Sequence, residues 1–374
     1  MKYRIFGNTG IKVSILGFGA MRLPEEEISG KYYVKEEESI EMINIAFKLG
    51  VNYIDTAYPY CHSQSENIVG KALKGWRDKV YLSTKMPTWM VEKSSDYRRF
   101  LEEQLKKLDV DYIDFYHFHG LDDDKFKNKV LKYNLLKEAQ KAKDEGLIKH
   151  ISFSFHDKPD VMKKIIDTGI FESVLCQYNL LDRINEKSMA YAKKKGLGVT
   201  VMGPVGGGRI TALDFLKDSI KEKIGSLPEL ALKFVFSNKD VSVALSGMEN
   251  IKMVKENAKI ASLAHILTSK EIKLIKKFLS EDKVKKLIPC TNCRYCMPCT
   301  SGVAIPEIFK LMNYYTLTEL RNNSSLKYYN INSGNQSKLS DECTECGECE
   351  KKCPQQIKIM DKLKESHIAL TGKS

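Results

Sequence analysis

The sequence predicts an α/β protein: a (β/α)8 TIM barrel over residues 1–282, then a small, mainly α-helical domain over residues 283–374. Three observations carry this. Short β-branched and aromatic runs alternate with helical apolar stripes about eight times over ~270 residues, the rhythm of a barrel. The competing open, doubly wound sheet wants a G-x-G-x-x-G after an early strand. The nearest match, Gly17-Phe18-Gly19-Ala20-Met21-Arg22, lacks the third glycine. Finally, eight of the ten cysteines follow residue 289, which marks a second domain.

Taken in order, residues 3–6 and 12–16 are extended, with the turn signal Gly7-Asn8-Thr9-Gly10 between them, and the second piece runs on through Gly17-Phe18-Gly19. A helix at 36–49 leads to a strand at 51–55, with Tyr60 beyond it in a loop carrying Pro59. A helix at 66–74 precedes a strand at 80–84 that ends at Lys85. The helix at 96–108 has Leu101, Leu105 and Leu108 on one face, and the strand at 112–118 ends at His119. Gly146 stops a helix at 131–145 before a strand at 148–154. Helices at 159–168 and 184–195 precede strands at 172–177 and 197–202. After the glycine-rich 203–208, a helix at 227–237 leads to a strand at 241–245, and helices at 249–260 and 269–280 close the series. Residues 283–289 form a short basic linker. Pro306 near the start and the stripe Ile305, Ile308, Phe309, Met312 mark a packing helix at 305–317, whereas the Asn/Ser-rich 322–340 predicts a mobile loop.

A hydrophobic content of 43% with 29% charged residues supplies a globular core. The net charge of +12 is spread along the chain with no basic run interleaved with aromatics, which argues against nucleic acid. It suits anionic cofactors or acidic redox partners. No apolar run approaches the ~20 residues of a membrane helix, and the start, MKYRIFGNTG, lacks a signal peptide. The expectation is a cytoplasmic protein outside the membrane, where clustered cysteines mean metal rather than disulfides.

On a barrel the carboxyl ends of the strands converge, so Asp55, Tyr60, Lys85 and His119 become neighbours. Their chemistry fits together. A phenol is a poor acid at neutral pH; a nearby ammonium favours its phenolate, and a carboxylate holds the ammonium in place. An imidazole orients a carbonyl oxygen. Such a set delivers a proton to a carbonyl oxygen while hydride reaches the carbon.

Over residues 1–280 the chain resembles the aldo-keto reductase family. The matching residues are Asp55-Thr56-Ala57 with Tyr60, Ser83-Thr84-Lys85, Asp111-Tyr112-Ile113-Asp114 running to His119, Gly146-Leu147-Ile148 leading to Ser154, Gln177-Tyr178-Asn179, and Gly203-Pro204-Val205-Gly206. The resemblance implies that Tyr60 is the general acid, Lys85 tunes it, Asp55 pairs with Lys85, and His119 orients the substrate; His117 is read as structural. It also implies a nicotinamide dinucleotide across the barrel mouth. The residues that would touch it are Gly19, Met21, Asp55, Ser154, Gln177, Met202, the loop Gly203 to Gly206, and Ser246, Gly247, Met248, Glu256 and Asn257. Three departures accompany this. Phe155 replaces the usual asparagine, Met202 replaces the stacking aromatic, and Gly247 and Met253 stand where cations clasp a 2′-phosphate. NAD, NADP and a bound flavin therefore stay open. The run Gly206-Gly207-Gly208 offers backbone N–H groups to a pyrophosphate.

The cysteines form two groups: Cys290-x2-Cys293-x2-Cys296-x2-Cys299, and Cys343-x2-Cys346-x2-Cys349-x3-Cys353-Pro354. The second is the bacterial ferredoxin run, in which the fourth cysteine ligates the other 4Fe–4S cluster. Two clusters follow, one on Cys290, Cys293, Cys296 and Cys353, the other on Cys299, Cys343, Cys346 and Cys349. In the first group Thr300 stands where proline is common. Two four-cysteine zinc sites are the bland alternative. The long, partly helical segment between the groups resembles an α-helical dicluster ferredoxin. Cys61 and Cys176 are expected to be ordinary. The whole suggests an enzyme that reduces a small carbonyl or oxidises an alcohol, with clusters passing single electrons to or from a ferredoxin or flavodoxin. The alternative is an electron-transfer or scaffold subunit with an idle barrel, which Phe155 and Met202 favour.

Overall fold

The computed structural model describes residues 1–206, 226–263, 267–279, 286–318, 321–331 and 337–372. Gly207, Gly208 and residues 280–285 lie outside these. The strands in chain order are β1 (Tyr3–Ile5), β2 (Lys12–Ser14), β3 (Leu16–Gly19), β4 (Glu25–Ile28), β5 (Lys31–Val34), β6 (Tyr53–Asp55), β7 (Tyr81–Met86), β8 (Ile113–Leu121), β9 (Ile148–Phe155), β10 (Ser173–Gln177), β11 (Gly198–Met202) and β12 (Val243–Gly247). Eight of them close a barrel in the order β3-β6-β7-β8-β9-β10-β11-β12. Its pairings are all parallel, so all eight carboxyl ends open on one face. Every residue of β10 is buried, as expected of parallel strands covered on both sides.

The antiparallel hairpin of β1 and β2 precedes the barrel. Just past β1, Phe6 is wholly buried with Tyr53, Phe115, Leu175 and Val243. The Phe6 ring lies 4.6 Å from that of Phe115 and 5.9 Å from that of Tyr53. This cluster fills the amino end of the barrel. Gly198 is required there, because a Cβ would stand 2.2 Å from the Phe6 ring.

Several elements depart from the sequence expectation. β4 and β5 form an unforeseen exposed hairpin. Tyr60 begins a short helix, Tyr60–Ser63, rather than sitting in a loop. β8 runs on to Leu121, with an irregular register between Phe118 and Leu121. The helix expected at 131–145 is interrupted where Asn134 adopts a φ of +54°, and its regular part is Leu135–Asp144.

By contact the chain divides into two compact units. One comprises residues 1–178, 183–204 and 232–267; the other comprises 179–182, 205–231 and 268–374. The second unit carries the helices Ser269–Phe278, Ile305–Thr318, Arg321–Asn330 and Ile359–Thr371. Its core gathers Ile288, Val303, Ile305, Ile308, Phe309, Tyr328, Ile357, Ile359 and Leu363, with cysteines packed against it. The loop expected at 322–340 is helical up to Asn330, because Tyr328 is buried and its hydroxyl accepts a bond from the Ser340 N–H at 3.0 Å. Among the described residues no helix is long and apolar enough to cross a membrane.

Candidate active site and cysteine cavities

Register brings the predicted residues together. Asp55, the last residue of β6, sits beside Ser83, and Lys85 sits beside His117. The Lys85 ammonium donates to Asp55 Oδ1 at 2.5 Å and to the Thr56 carbonyl at 2.8 Å. Ser83 donates to the other Asp55 oxygen at 2.7 Å. Lys85 is 1% exposed and Asp55 2%. Burial lowers the Lys85 ammonium and raises the Asp55 carboxyl from their ordinary values, while their mutual attraction opposes both shifts. Lys85 Nζ stands 4.8 Å from the centre of the Tyr60 ring. His119 meets that ring edge-on at 6.2 Å.

The turn after Tyr60 is unusual. Cys61, His62 and Ser63 hold φ of +50°, +53° and +66° in succession, a left-handed path that costs about 1–2 kcal/mol per residue. Neighbours hold it in place. The Cys61 thiol points at the Ala20 and Met21 carbonyls at 3.7 and 3.6 Å. His62 stacks on Tyr32 at 5.3 Å, and the Gln64 side chain bonds the backbone of Tyr32 and Val34. The unforeseen hairpin therefore braces the Tyr60 turn. Burial pushes the Cys61 thiol up to about 12, away from the thiolate form that reacts.

His119 is buried with Nδ1 unbonded among the described residues. Burial, followed by the Lys85 charge, holds its imidazole well below the ordinary value, so it is neutral near pH 7. Its ring lies 5.0 Å from that of Trp89, which is 42% exposed. Sequence reasoning missed Trp89; a lone tryptophan just past the Lys85 strand end was the available signal.

His117 lies wholly buried, pushed to about 3 by burial and then by Lys85. An unfolded histidine titrates near ~6.5. Between those values the unfolded chain holds a proton that the folded one refuses, so stability falls as pH drops below ~6.5, by about 1.4 kcal/mol per unit. A His117→Leu variant should lose less stability between pH 7 and pH 5 in urea unfolding than the parent. Equal losses would remove His117 from the acid response.

The expected nicotinamide side is partly assembled. Gln177 ends β10 with its Nε2 buried and unbonded among the described residues, an orphan donor suited to a carboxamide oxygen. Gly203 leaves that amide room, since a Cβ there would stand 2.6 Å from it. Ser154 Oγ accepts from the Gly120 N–H at 2.7 Å, and Met202 ends β11 beside Gln177. Gly19 pairs with Gly247, and Met21 is half-buried. Asn257 donates to Ser246 Oγ at 3.1 Å, Met248 is buried, and Glu256 is exposed. Pro204 is buried in the first unit, whereas Val205 and Gly206 belong to the second. Sequence reasoning also missed Arg22. Its side chain would stand 3.1 Å from a Cβ at Gly247, and it pairs with Glu249 at 3.3 Å. A cation thus reaches the strand end where Gly247 and Met253 supply none.

In the second unit, Cys299, Cys343, Cys346 and Cys349 line one cavity, open to solvent, with Cys296 on its wall. Cys290, Cys293, Cys296 and Cys353 line another. Cys296 thus lines both cavities, and the other seven cysteines divide between them. Burial pushes the Cys296 thiol up to about 12, and Cys293, Cys290 and Cys353 add to it. Burial and then Cys299 and Cys343 raise Cys349 to about 11.

A sequence profile of the Aldo/keto reductase family matches residues 15–280, and one of the 4Fe-4S dicluster domain matches residues 289–359. Among curated proteins, the uncharacterized oxidoreductase YqkF of Bacillus subtilis is 26% identical over 76% of this chain and 99% of its own. The probable aldo-keto reductase 1 of Glycine max is 30% identical over 72% of this chain and 86% of its own. Among solved structures, the holo form of aldo-keto reductase AKR11C1 from Bacillus halodurans superposes with a TM-score of 0.65. It is 28% identical and covers 75% of this chain and 97% of its own.

Proposed function

Since the chain belongs to the aldo/keto reductase family and carries a 4Fe-4S dicluster domain, we propose that it reduces a small carbonyl compound, or oxidises the matching alcohol. The observation that carries this is the buried Asp55–Lys85 pair beneath the Tyr60 ring, with neutral His119 edge-on to that ring. When bound, a nicotinamide dinucleotide supplies or accepts hydride, and the clusters carry single electrons.

The residues divide the remaining work. Tyr60 gives its phenolic proton to the carbonyl oxygen, and the Lys85 ammonium stabilises the phenolate left behind. Asp55, bonded by Lys85 and Ser83, keeps that ammonium in place. Neutral His119 has a ring N–H to orient the carbonyl oxygen, and Trp89 offers an apolar wall beside it. Gln177 would hold the nicotinamide carboxamide, with Gly19, Met21, Ser154, Met202, Gly203 and Pro204 around it, and Ser246, Gly247, Met248, Glu256 and Asn257 toward the adenosine end. Fluorescence titration with NADH, NADPH and FMN tests this directly. Binding of none of the three would defeat the enzyme reading.

For the cysteines, Cys290, Cys293, Cys296 and Cys353 would hold one 4Fe–4S cluster and Cys299, Cys343, Cys346 and Cys349 the other. The boundary between barrel and cluster domain falls, on this reading, in the basic segment 283–289. Two clusters together match the electron pair of one hydride, and a ferredoxin or flavodoxin in the cytoplasm is the fitting partner. Anaerobic metal and sulfide analysis of the purified chain is expected to give about eight irons per chain, four per cluster. Zinc in their place would end the electron-transfer argument.

A further inference from the structure

We propose that the Thr300 hydroxyl donates a hydrogen bond to Sγ of Cys346 and raises the reduction potential of the cluster on Cys299, Cys343, Cys346 and Cys349. This rests on the cluster reading above. Thr300 Oγ1 lies 3.5 Å from Cys346 Sγ. A ligating thiolate has no proton to give, so the hydroxyl must be the donor. Both residues line the same cavity, and Ser301 Oγ meets Thr344 Oγ1 at 2.8 Å, tying the two chain segments together beside the bond. Cys346 is the exposed member of its set, while Cys299, Cys343 and Cys349 are half-buried.

The two cysteine groups are not equivalent at this point. Thr300 follows Cys299 as Pro354 follows Cys353. Proline has neither a hydroxyl nor an amide N–H to offer. Reduction adds one electron to a cluster, and the added negative charge spreads onto its sulfurs. A donor at a ligating sulfur therefore stabilises the reduced state more than the oxidised one, which moves the potential upward. The hydroxyl gives this cluster a means of accepting an electron ahead of its neighbour, so that the pair fills in a fixed order. Thr300 here is a positioning residue that acts through Cys346.

The test uses the full chain with its clusters, handled anaerobically, as Thr300→Val and Thr300→Ser. Iron is counted first, and Thr300→Ala replaces the valine variant if that one loses iron. Reductive titration with dithionite at controlled potential is followed by electron paramagnetic resonance. The apolar variant should move one of two reduction steps to more negative potential, by on the order of tenfold in the one-electron equilibrium, ~59 mV. Serine should restore it, and the other step should stay in place. Two unmoved steps at full iron content, or a serine variant displaced as far as valine, would overturn the role of Thr300 alone. Zinc or missing iron in the parent protein would instead overturn the cluster reading.

Discussion

Tyr60→Phe should lower the rate of carbonyl reduction by about 10²–10⁴-fold, the usual contribution of a positioned general acid. The substitution removes one oxygen and keeps the ring, so the contacts with Lys85 at 4.8 Å and His119 at 6.2 Å survive. Nicotinamide affinity should not change, because the orphan donor of Gln177 and the space at Gly203 lie on other strands. The loss belongs in kcat, since the proton moves only in the transition state. Single-turnover measurements in both directions check it, and an unchanged rate would exclude Tyr60 as the proton donor.

The second large effect is on stability. Lys85→Met leaves the Asp55 carboxylate buried with, among the described residues, Ser83 alone to bond it. Breaking a buried ion pair by removing one partner costs about 3–5 kcal/mol. For a domain of this size that corresponds to a fall in Tm of roughly 6–20 °C. The deficit should depend on pH in a definite direction. Without Lys85 the folded state favours a protonated Asp55, so its folded pKa lies above the unfolded one. Protonation then stabilises the fold below the ordinary carboxylate range, and that stabilisation is lost as pH rises. The gap between variant and parent should therefore narrow on acidification. The Asp55→Asn/Lys85→Met double variant should recover much of the loss, as neither charge remains. A single variant as stable as the parent at pH 7 would mean that the pair is not buried as described.

Two kinds of feature were legible in the sequence. Parallel strands covered on both sides must be apolar along their length, so the alternation of strand and helix showed at β6 to β12 without any knowledge of neighbours. The cysteines sit close together in the chain, so their two groups could be read from spacing alone; the fold gathers them on the walls of two cavities that share Cys296. The four residues Asp55, Tyr60, Lys85 and His119 were legible for a similar reason, because each stands near the carboxyl end of a readable strand or just past it.

What escaped was held by contacts distant in sequence. The hairpin of β4 and β5 is glutamate-rich and exposed along β4, so no alternation marks it; Gln64 and His62 anchor it. The helix Arg321–Asn330 is poor in helix formers, and the burial of Tyr328 overrides its composition. Arg22 and Trp89 have no periodic signature at all.

By itself, then, the sequence determined the barrel, the cysteine groups and the identity of the groups gathered at the barrel mouth, because periodicity and ligand spacing are local properties of the chain. Only the tertiary structure decided how those groups are tuned. Burial of Lys85 against Asp55, the neutral state of His119, the bracing of Tyr60 by a distant hairpin and the hydroxyl of Thr300 beside Cys346 all depend on what the fold places around a residue. Desolvation and hydrogen bonding are properties of that surrounding, and the chain order does not carry them.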